Sequence, residues 1–287
     1  MSESSRKSLR DRVRTRDLRV FDRGPLAYTV SSALHYGLRV VMKHKVVRDQ
    51  DQIHDEYQLT KRFDWREGLS VDDLILSDDH AKKWILRDDK LELGTERTVR
   101  AYLLARLESR IRELLPDGRG RVVEFGCGTG RNLFYLARKF PQLELVGLEL
   151  TPSTVEYAQG ISDREGFGVT FHVADMTADL SGLGRADVVF SVHALEQLPD
   201  AFPRAFDNMA AMSRRAVVLF EPVHELFPWS LRGIAARFRI KTANYLDGLF
   251  RYVKSKPDVV VEHAQALPYG TPLNQTVEVV TTVRPRA

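Results

Sequence analysis

A short apolar run that breaks into three glycines at alternate positions constrains this sequence most: Val122-Val123-Glu124-Phe125-Gly126-Cys127-Gly128-Thr129-Gly130. Val122 to Phe125 read as the end of a buried strand. The glycines allow a tight turn and let a ligand approach backbone amides that a Cβ would screen. Arg131 and Asn132 follow, and Asn132 to Phe140 has helical apolar spacing. The turn therefore delivers the chain to a helix N-terminus, whose unsatisfied N–H groups suit the anionic end of a ligand. Dinucleotide enzymes also use a glycine-rich turn after a strand. Their pattern wants a small third residue where Arg131 stands, and Glu124 is placed to meet a cationic amine rather than a pyrophosphate.

The rest of the chain falls into place around that turn. From about Leu93 onwards strand and helix signals alternate, as in a parallel α/β sheet. Thr98 to Leu115 carries apolar residues at helical spacing and stops at Pro116-Asp117-Gly118. Arg121–Phe125, Leu143–Leu148, Val169–Ala174, Ala186–Val192 and Ala216–Phe220 are strand candidates, several of them continuous apolar runs of the buried parallel kind. Ser153–Arg164 and Phe202–Ser213 read as helices between them. Val259–Ala264 and Thr276–Val283 complete seven strands after a long aromatic and basic insert at about 222–256. The expected organisation is an N-terminal arm and helical cap over residues 1–95 and a ligand-binding core over 96–287.

Two further strand ends carry acids. The second strand ends at Leu148-Glu149-Leu150, 23 positions after Gly126, where a carboxylate can accept from both hydroxyls of a ribose. The third ends at Ala174-Asp175-Met176, where a carboxylate can accept from an exocyclic amine and Met176 offers a soft apolar surface to a ring. With these residues in view, the chain resembles the class I, seven-strand S-adenosylmethionine-dependent methyltransferases over about residues 97–287. The resemblance implies a Rossmann-like three-layer α/β sandwich, a seven-stranded and mostly parallel sheet whose last strand is antiparallel. It implies S-adenosylmethionine as cofactor and S-adenosylhomocysteine as its product. Glu124 then lies near the methionine amine, with Gly126, Cys127, Gly128, Gly130 and Asn132 forming the loop and helix start around it. Glu149 and Leu150 fall at the ribose, Asp175 and Met176 at the adenine, and His193 where the fourth strand meets the sulfonium.

Methyl transfer is an in-line displacement in which the protein supplies alignment, desolvation and, for some acceptors, a base. His193 is the candidate base, because a neutral imidazole accepts a proton near neutral pH. Glu196, three residues on, can orient it or bind an amine. Tyr57, in the N-terminal region expected to cover the acceptor, is the third catalytic candidate. Glu221 and His224 are secondary. His35, Tyr36, His54, Tyr57, Phe63, Trp65 and His80 in that region, and Phe227, Trp229, Phe238, Tyr245, Phe250 and Tyr252 in the insert, offer aromatic lining suited to a flat or cationic acceptor. No metal is expected: Asp72-Asp73 and Asp78-Asp79-His80 read as turn carboxylates.

Charge narrows the acceptor. The first 23 residues hold eight basic and four acidic groups, which account for the net +4 and leave 35 of each sign beyond them. A nucleic-acid enzyme usually carries its excess charge on the working domain, so a small-molecule acceptor is expected and nucleic acid is not. After the fourth strand, Ser191-Val192-His193-Ala194 lacks the Asn/Asp-Pro-Pro-aromatic run that the resemblance would require for amide or nucleobase nitrogen, and Glu196 lacks the second glutamate of protein-arginine enzymes. No stretch reaches a membrane span, no secretory signal is read at the N-terminus, and the single Cys127 suits a reducing cytoplasm. A homodimer is open. Rival readings are an RNA methyltransferase anchored by the basic arm, a nicotinamide-dependent oxidoreductase, and a non-catalytic subunit that binds the cofactor.

Overall fold

The computed structural model describes residues 24–42 and 70–284. On the N-terminal side are helices α1 (Pro25–Val41) and α2 (Val71–Leu76), a hairpin of β1 (Lys83–Arg87) and β2 (Lys90–Gly94), and helix α3 (Glu96–Leu114). The core follows as β3 (Gly120–Phe125), α4 (Arg131–Lys139), β4 (Leu143–Glu149), α5 (Pro152–Glu165), β5 (Thr170–Val173), β6 (Ala186–Val192), α6 (Phe202–Met212) and β7 (Ser213–Glu221). Helices α7 (Leu231–Thr242) and α8 (Leu249–Ser255) occupy the insert, before β8 (Val259–Ala266), β9 (Tyr269–Gly270) and β10 (Val277–Val283).

Seven strands form one sheet in the order β5-β4-β3-β6-β7-β10-β8. The first five are mutually parallel, and β10 runs antiparallel to both β7 and β8. The mostly parallel seven-stranded sheet with an antiparallel last strand is thus the observed one. Alternation along each strand builds two cores, because successive side chains leave opposite faces of a sheet. Val122, Leu145, Val188, Phe190, Val218 and Phe220 pack with α3, α4 and α5 through Leu104, Leu107, Ile111, Leu133, Phe134 and Ile161. Val123, Phe125, Val146, Leu148, Val189, Val217 and Leu219 pack on the other face with α6, α7 and α8 through Phe206, Met209, Ala236, Ile240 and Val253. Three layers result, with every parallel strand end directed to one rim.

The described part of the region before residue 96 is not all helical. The β1–β2 hairpin pairs antiparallel with β9, Leu86 opposite Gly270 and Arg87 opposite Tyr269, in a separate three-stranded sheet. Each strand there is at most five residues long, and β9 is two, so no periodicity announces them. Tyr102 of α3 stacks on Tyr269 at 4.4 Å between ring centroids, fixing this small sheet against the core. Helix α1 lies against α7, where a Cβ on Gly37 would stand 3.3 Å from the Phe238 ring.

Candidate functional site

At the end of β3 the chain enters the glycine turn in left-handed conformations, with φ of +67° at Gly126, +54° at Gly128 and +79° at Gly130. Gly126 and Gly130 have no room for a Cβ: one on Gly126 would stand 2.5 Å from that of Ala194 and 3.0 Å from Met176 Cε, and one on Gly130 2.6 Å from the Phe171 ring. The turn is therefore wedged against the loop after β6 and the end of β5. Cys127 is buried, its amide donating to Leu148 O at 3.0 Å, which makes it a packing residue of the turn.

A cavity of about 400 Å³ opens over this turn. Its walls are α3 (Glu96, Arg100), the turn itself, the start of α4 (Arg131, Asn132), the end of β6 (Val192, His193) and the segment from Leu267 to Thr276. Glu124 reaches it from within the sheet and is 1% exposed. Its Oε1 accepts from Asn132 Nδ2, whose Oδ1 accepts in turn from Arg100 Nη2, while Arg100 Nε donates to Ile75 O. Glu124 Oε2 is buried with no hydrogen-bond partner. Burial pushes the Glu124 carboxyl up to about 8 against the pull of Asn132 and the Arg100 charge, and burial brings Arg100 down to about 9. The Glu124 carboxyl is thus mostly neutral near pH 7, and a cationic group brought to Oε2 would favour its ionised form.

The other acids lie along the same rim, outside that cavity. Glu149 Oε2 accepts from Gly128 N at 3.1 Å and Oε1 from Thr151 N at 3.0 Å, so the end of β4 is tied to the turn. Leu150, next to Glu149, is 45% exposed. Asp175 Oδ1 accepts from the amide and hydroxyl of Thr177, and Met176 approaches the turn at Gly126.

His193 stands at the far wall in a left-handed conformation, φ +52°, with its amide donating to Phe220 O at 2.9 Å. Its Nδ1 is 3.3 Å from Glu196 Oε2 and its Nε2 is 2.7 Å from Thr276 Oγ1. Asn274 Nδ2 donates to the same Glu196 oxygen at 3.1 Å. Burial opposes a charge on His193, but the Glu196 and Glu221 carboxylates outweigh it and raise its pKa. Burial likewise works against the Glu196 anion, and His193, Asn274 and Arg239 together prevail and lower it.

Glu221, fully buried at the end of β7, fastens this loop. Its Oε1 accepts from Ser191 Oγ at 2.8 Å, Ala194 N at 3.0 Å and Leu195 N at 3.1 Å, and its Oε2 from Glu196 N at 3.3 Å. Those amides start the 3-10 turn Leu195–Gln197. Glu221 thus positions His193 and Glu196 from below and does not line the cavity. His224 is buried, 3.4 Å from Asp247, on the insert side.

The structure brings Glu124, Gly126, Cys127, Gly128, Asn132 and His193 to one cavity, with Glu196 held against His193. Glu149, Leu150, Asp175 and Met176 continue along the rim. Tyr57, like His54, Phe63 and Trp65, lies outside the described residues. Asp72 and Asp73 open α2, where they pair with Arg138 and Arg97, and among the described residues no group of three or more His, Cys, Asp or Glu is placed to hold a metal. Sequence reasoning missed Arg100, Asn274 and Thr276. Arg100 is the one with a signal, an arginine on a helix face that otherwise supplies core, as Leu104, Leu107 and Ile111 do.

Residues 122–215 match a family described as Methyltransferase domain. The chain is 31% identical over 121 residues to a trans-aconitate 2-methyltransferase of Methylobacterium radiotolerans, covering 40% of this chain and 43% of that one. It is 30% identical over 103 residues to the chloroplastic tocopherol O-methyltransferase of Arabidopsis thaliana, covering 34% and 29%. The matches thus span less than half the length of either relative. Among solved structures, the magnesium protoporphyrin IX methyltransferase of Synechocystis PCC 6803 with bound SAM superposes with a TM-score of 0.53 at 15% identity, covering 84% of this chain and 100% of that one. The likeness at that identity is one of fold.

Proposed function

We propose that this chain, whose residues 122–215 match the methyltransferase domain family, transfers a methyl group from S-adenosylmethionine to a small-molecule nucleophile in the cytoplasm. The observation that carries the reading is Glu124 Oε2, a buried carboxylate oxygen without a partner beside a glycine turn. An α-amino group supplies the missing donors and charge. Glu149 at the next strand end is suited to ribose hydroxyls, and Asp175 with Met176 to adenine. Its relatives are named as enzymes that methylate small molecules, which favours an acceptor of that size.

The cofactor, when bound, supplies an electrophilic methyl carbon, and the chain's own residues do the rest. Glu124 anchors the amine end. Glu196 accepts the Nδ1 proton of His193, which leaves Nε2 to accept. Thr276 Oγ1 is its present partner at 2.7 Å, and a hydroxyl or amine of the acceptor takes that place and gives up its proton to Nε2. Tyr57 is the third catalytic residue proposed, on the sequence alone.

Calorimetric titration with S-adenosylmethionine, S-adenosylhomocysteine and NADH tests the cofactor assignment. Micromolar binding of the first two and none of NADH is expected. Binding of NADH alone, or of none of the three, overturns it.

A further inference from the structure

Helix α1 is apolar on both sides: Tyr28, Ala33 and Tyr36 pack on the core, and a second set of apolar residues faces away from it. Its buried residues are Thr29 and Ser32, while Leu26, Leu34, Leu38, Val41 and the adjoining Met42 are between 61% and 79% exposed. Leu26, Val30, Leu34, Leu38 and Val41 recur every three or four positions, so they form one stripe along one side. The reason polar residues face inward is local: Thr29 Oγ1 donates to Pro25 O, which satisfies its hydroxyl within the helix. Nothing comparable accounts for the leucines facing out. A second exposed apolar group lies at the start of α7, the helix on which α1 packs. Trp229 is 83% exposed beneath the Arg237 guanidinium, 4.1 Å from its ring centre, and Leu231 follows at 46%.

Charge is segregated in the same part of the chain. Residues 24–48 contain no acid and four basic side chains, Arg39, Lys43, Lys45 and Arg48. With the first 23 residues they give 12 basic and 4 acidic groups, against 31 and 35 in the remainder. The stripe therefore belongs to a strongly basic N-terminal portion on a mildly acidic body.

From these observations we infer that α1 docks the protein on an anionic lipid surface. An exposed apolar stripe within a strongly basic stretch of sequence is the pattern of a helix that lies in the headgroup region of acidic lipids with its leucines buried. The exposed tryptophan is the residue suited to that boundary. Nucleic acid would satisfy the cations and leave five aliphatic side chains in water. A second copy of the chain would cover the stripe but would bring like charges together. At 17 residues the helix is too short to cross a bilayer, and among the described residues no helix is long and apolar enough to do so; it lies along the surface.

The experiment is flotation of the whole protein with vesicles of phosphatidylcholine, with and without about 30 mol% phosphatidylglycerol. Binding is expected to the anionic vesicles, to weaken in high salt, and to fall about tenfold for each of Leu34→Glu and Leu38→Glu. Both positions are exposed, so circular dichroism should show the variants folded. Quenching by acyl-brominated lipid should be present in wild type and reduced in Trp229→Phe. Equal binding by the Leu34→Glu/Leu38→Glu protein overturns the proposal, as does absence of binding to anionic vesicles. Sedimentation showing a dimer that the same substitutions dissociate, without vesicle binding, assigns the stripe to self-association instead. Retention on an RNA column that the substitutions leave intact, again without vesicle binding, assigns the charge to nucleic acid.

Discussion

The Glu124 carboxyl makes the proposed cofactor site a proton-coupled one, and the coupling has a definite sign and size. With a pKa of about 8 in the free protein, the group is about one part in ten ionised at pH 7 and about one part in a hundred at pH 6. A cationic amine at Oε2 needs the ionised form, so binding releases a proton and affinity rises with pH. Between pH 6 and 7 the ionised fraction, and with it the association constant, grows roughly ninefold. Ionising the group at pH 7 costs about 1.4 kcal/mol, set against the roughly 2–3 kcal/mol of a buried charge-assisted hydrogen bond. Glu124→Gln avoids the first and loses much of the second, so its deficit is only about 1 kcal/mol at pH 7 and widens as pH rises. Calorimetry with S-adenosylhomocysteine in two buffers of different ionisation enthalpy reads the protons directly. About 0.9 proton released per site at pH 7 is expected for wild type and much less for the variant, any residue belonging to His193. No proton release by wild type, or the same release by Glu124→Gln, would refute the reasoning.

Three further outcomes follow from the site. His193→Ala is expected to lower turnover by about 10²–10⁴ while leaving cofactor affinity within a few-fold. Because neighbouring carboxylates raise the pKa of His193, wild-type turnover should climb with pH through a value above 6.5; unchanged turnover in the variant across pH removes the base assignment. Glu221, lifted by burial to about 7, contributes stability that is present below its unfolded value near 4.5 and is lost as pH rises towards 7. The stability of Glu221→Gln relative to wild type should accordingly improve across that window, by on the order of 3 kcal/mol. Thermal melts that keep a constant difference would show that the four donors around the carboxylate outweigh its burial. Gly126→Ala places a Cβ against Ala194 in a left-handed turn and should cost about 2–4 kcal/mol, read as a lowered Tm with lost cofactor binding. A variant with wild-type Tm would mean that the turn and the β6 loop are not wedged as described.

What the sequence disclosed and what it concealed divide along one physical line. Parallel strands buried on both faces read as near-continuous apolar runs, and Ala186–Val192, interrupted by Asp187 and Ser191, is one whose bounds the structure reproduces. The glycine turn was legible because only a backbone without Cβ fits at Gly126. Contacts that depend on strand register left no such trace. Thr276 is 83 positions from His193 and Asn274 is 78 from Glu196, and no local pattern marks either. What joins them is the direction of β10. Because β10 is antiparallel and Val277 lies opposite Glu221, its entry end, not its exit, meets the rim where the parallel strands finish. The Leu267–Thr276 segment that precedes it is thereby carried over the cavity, delivering Thr276 to Nε2 of His193 and Asn274 to Glu196. A parallel last strand would put its exit there and leave this segment at the opposite edge. The reversed strand thus brings the segment before it to His193 and Glu196, a consequence of direction and register that no single stretch of sequence carries.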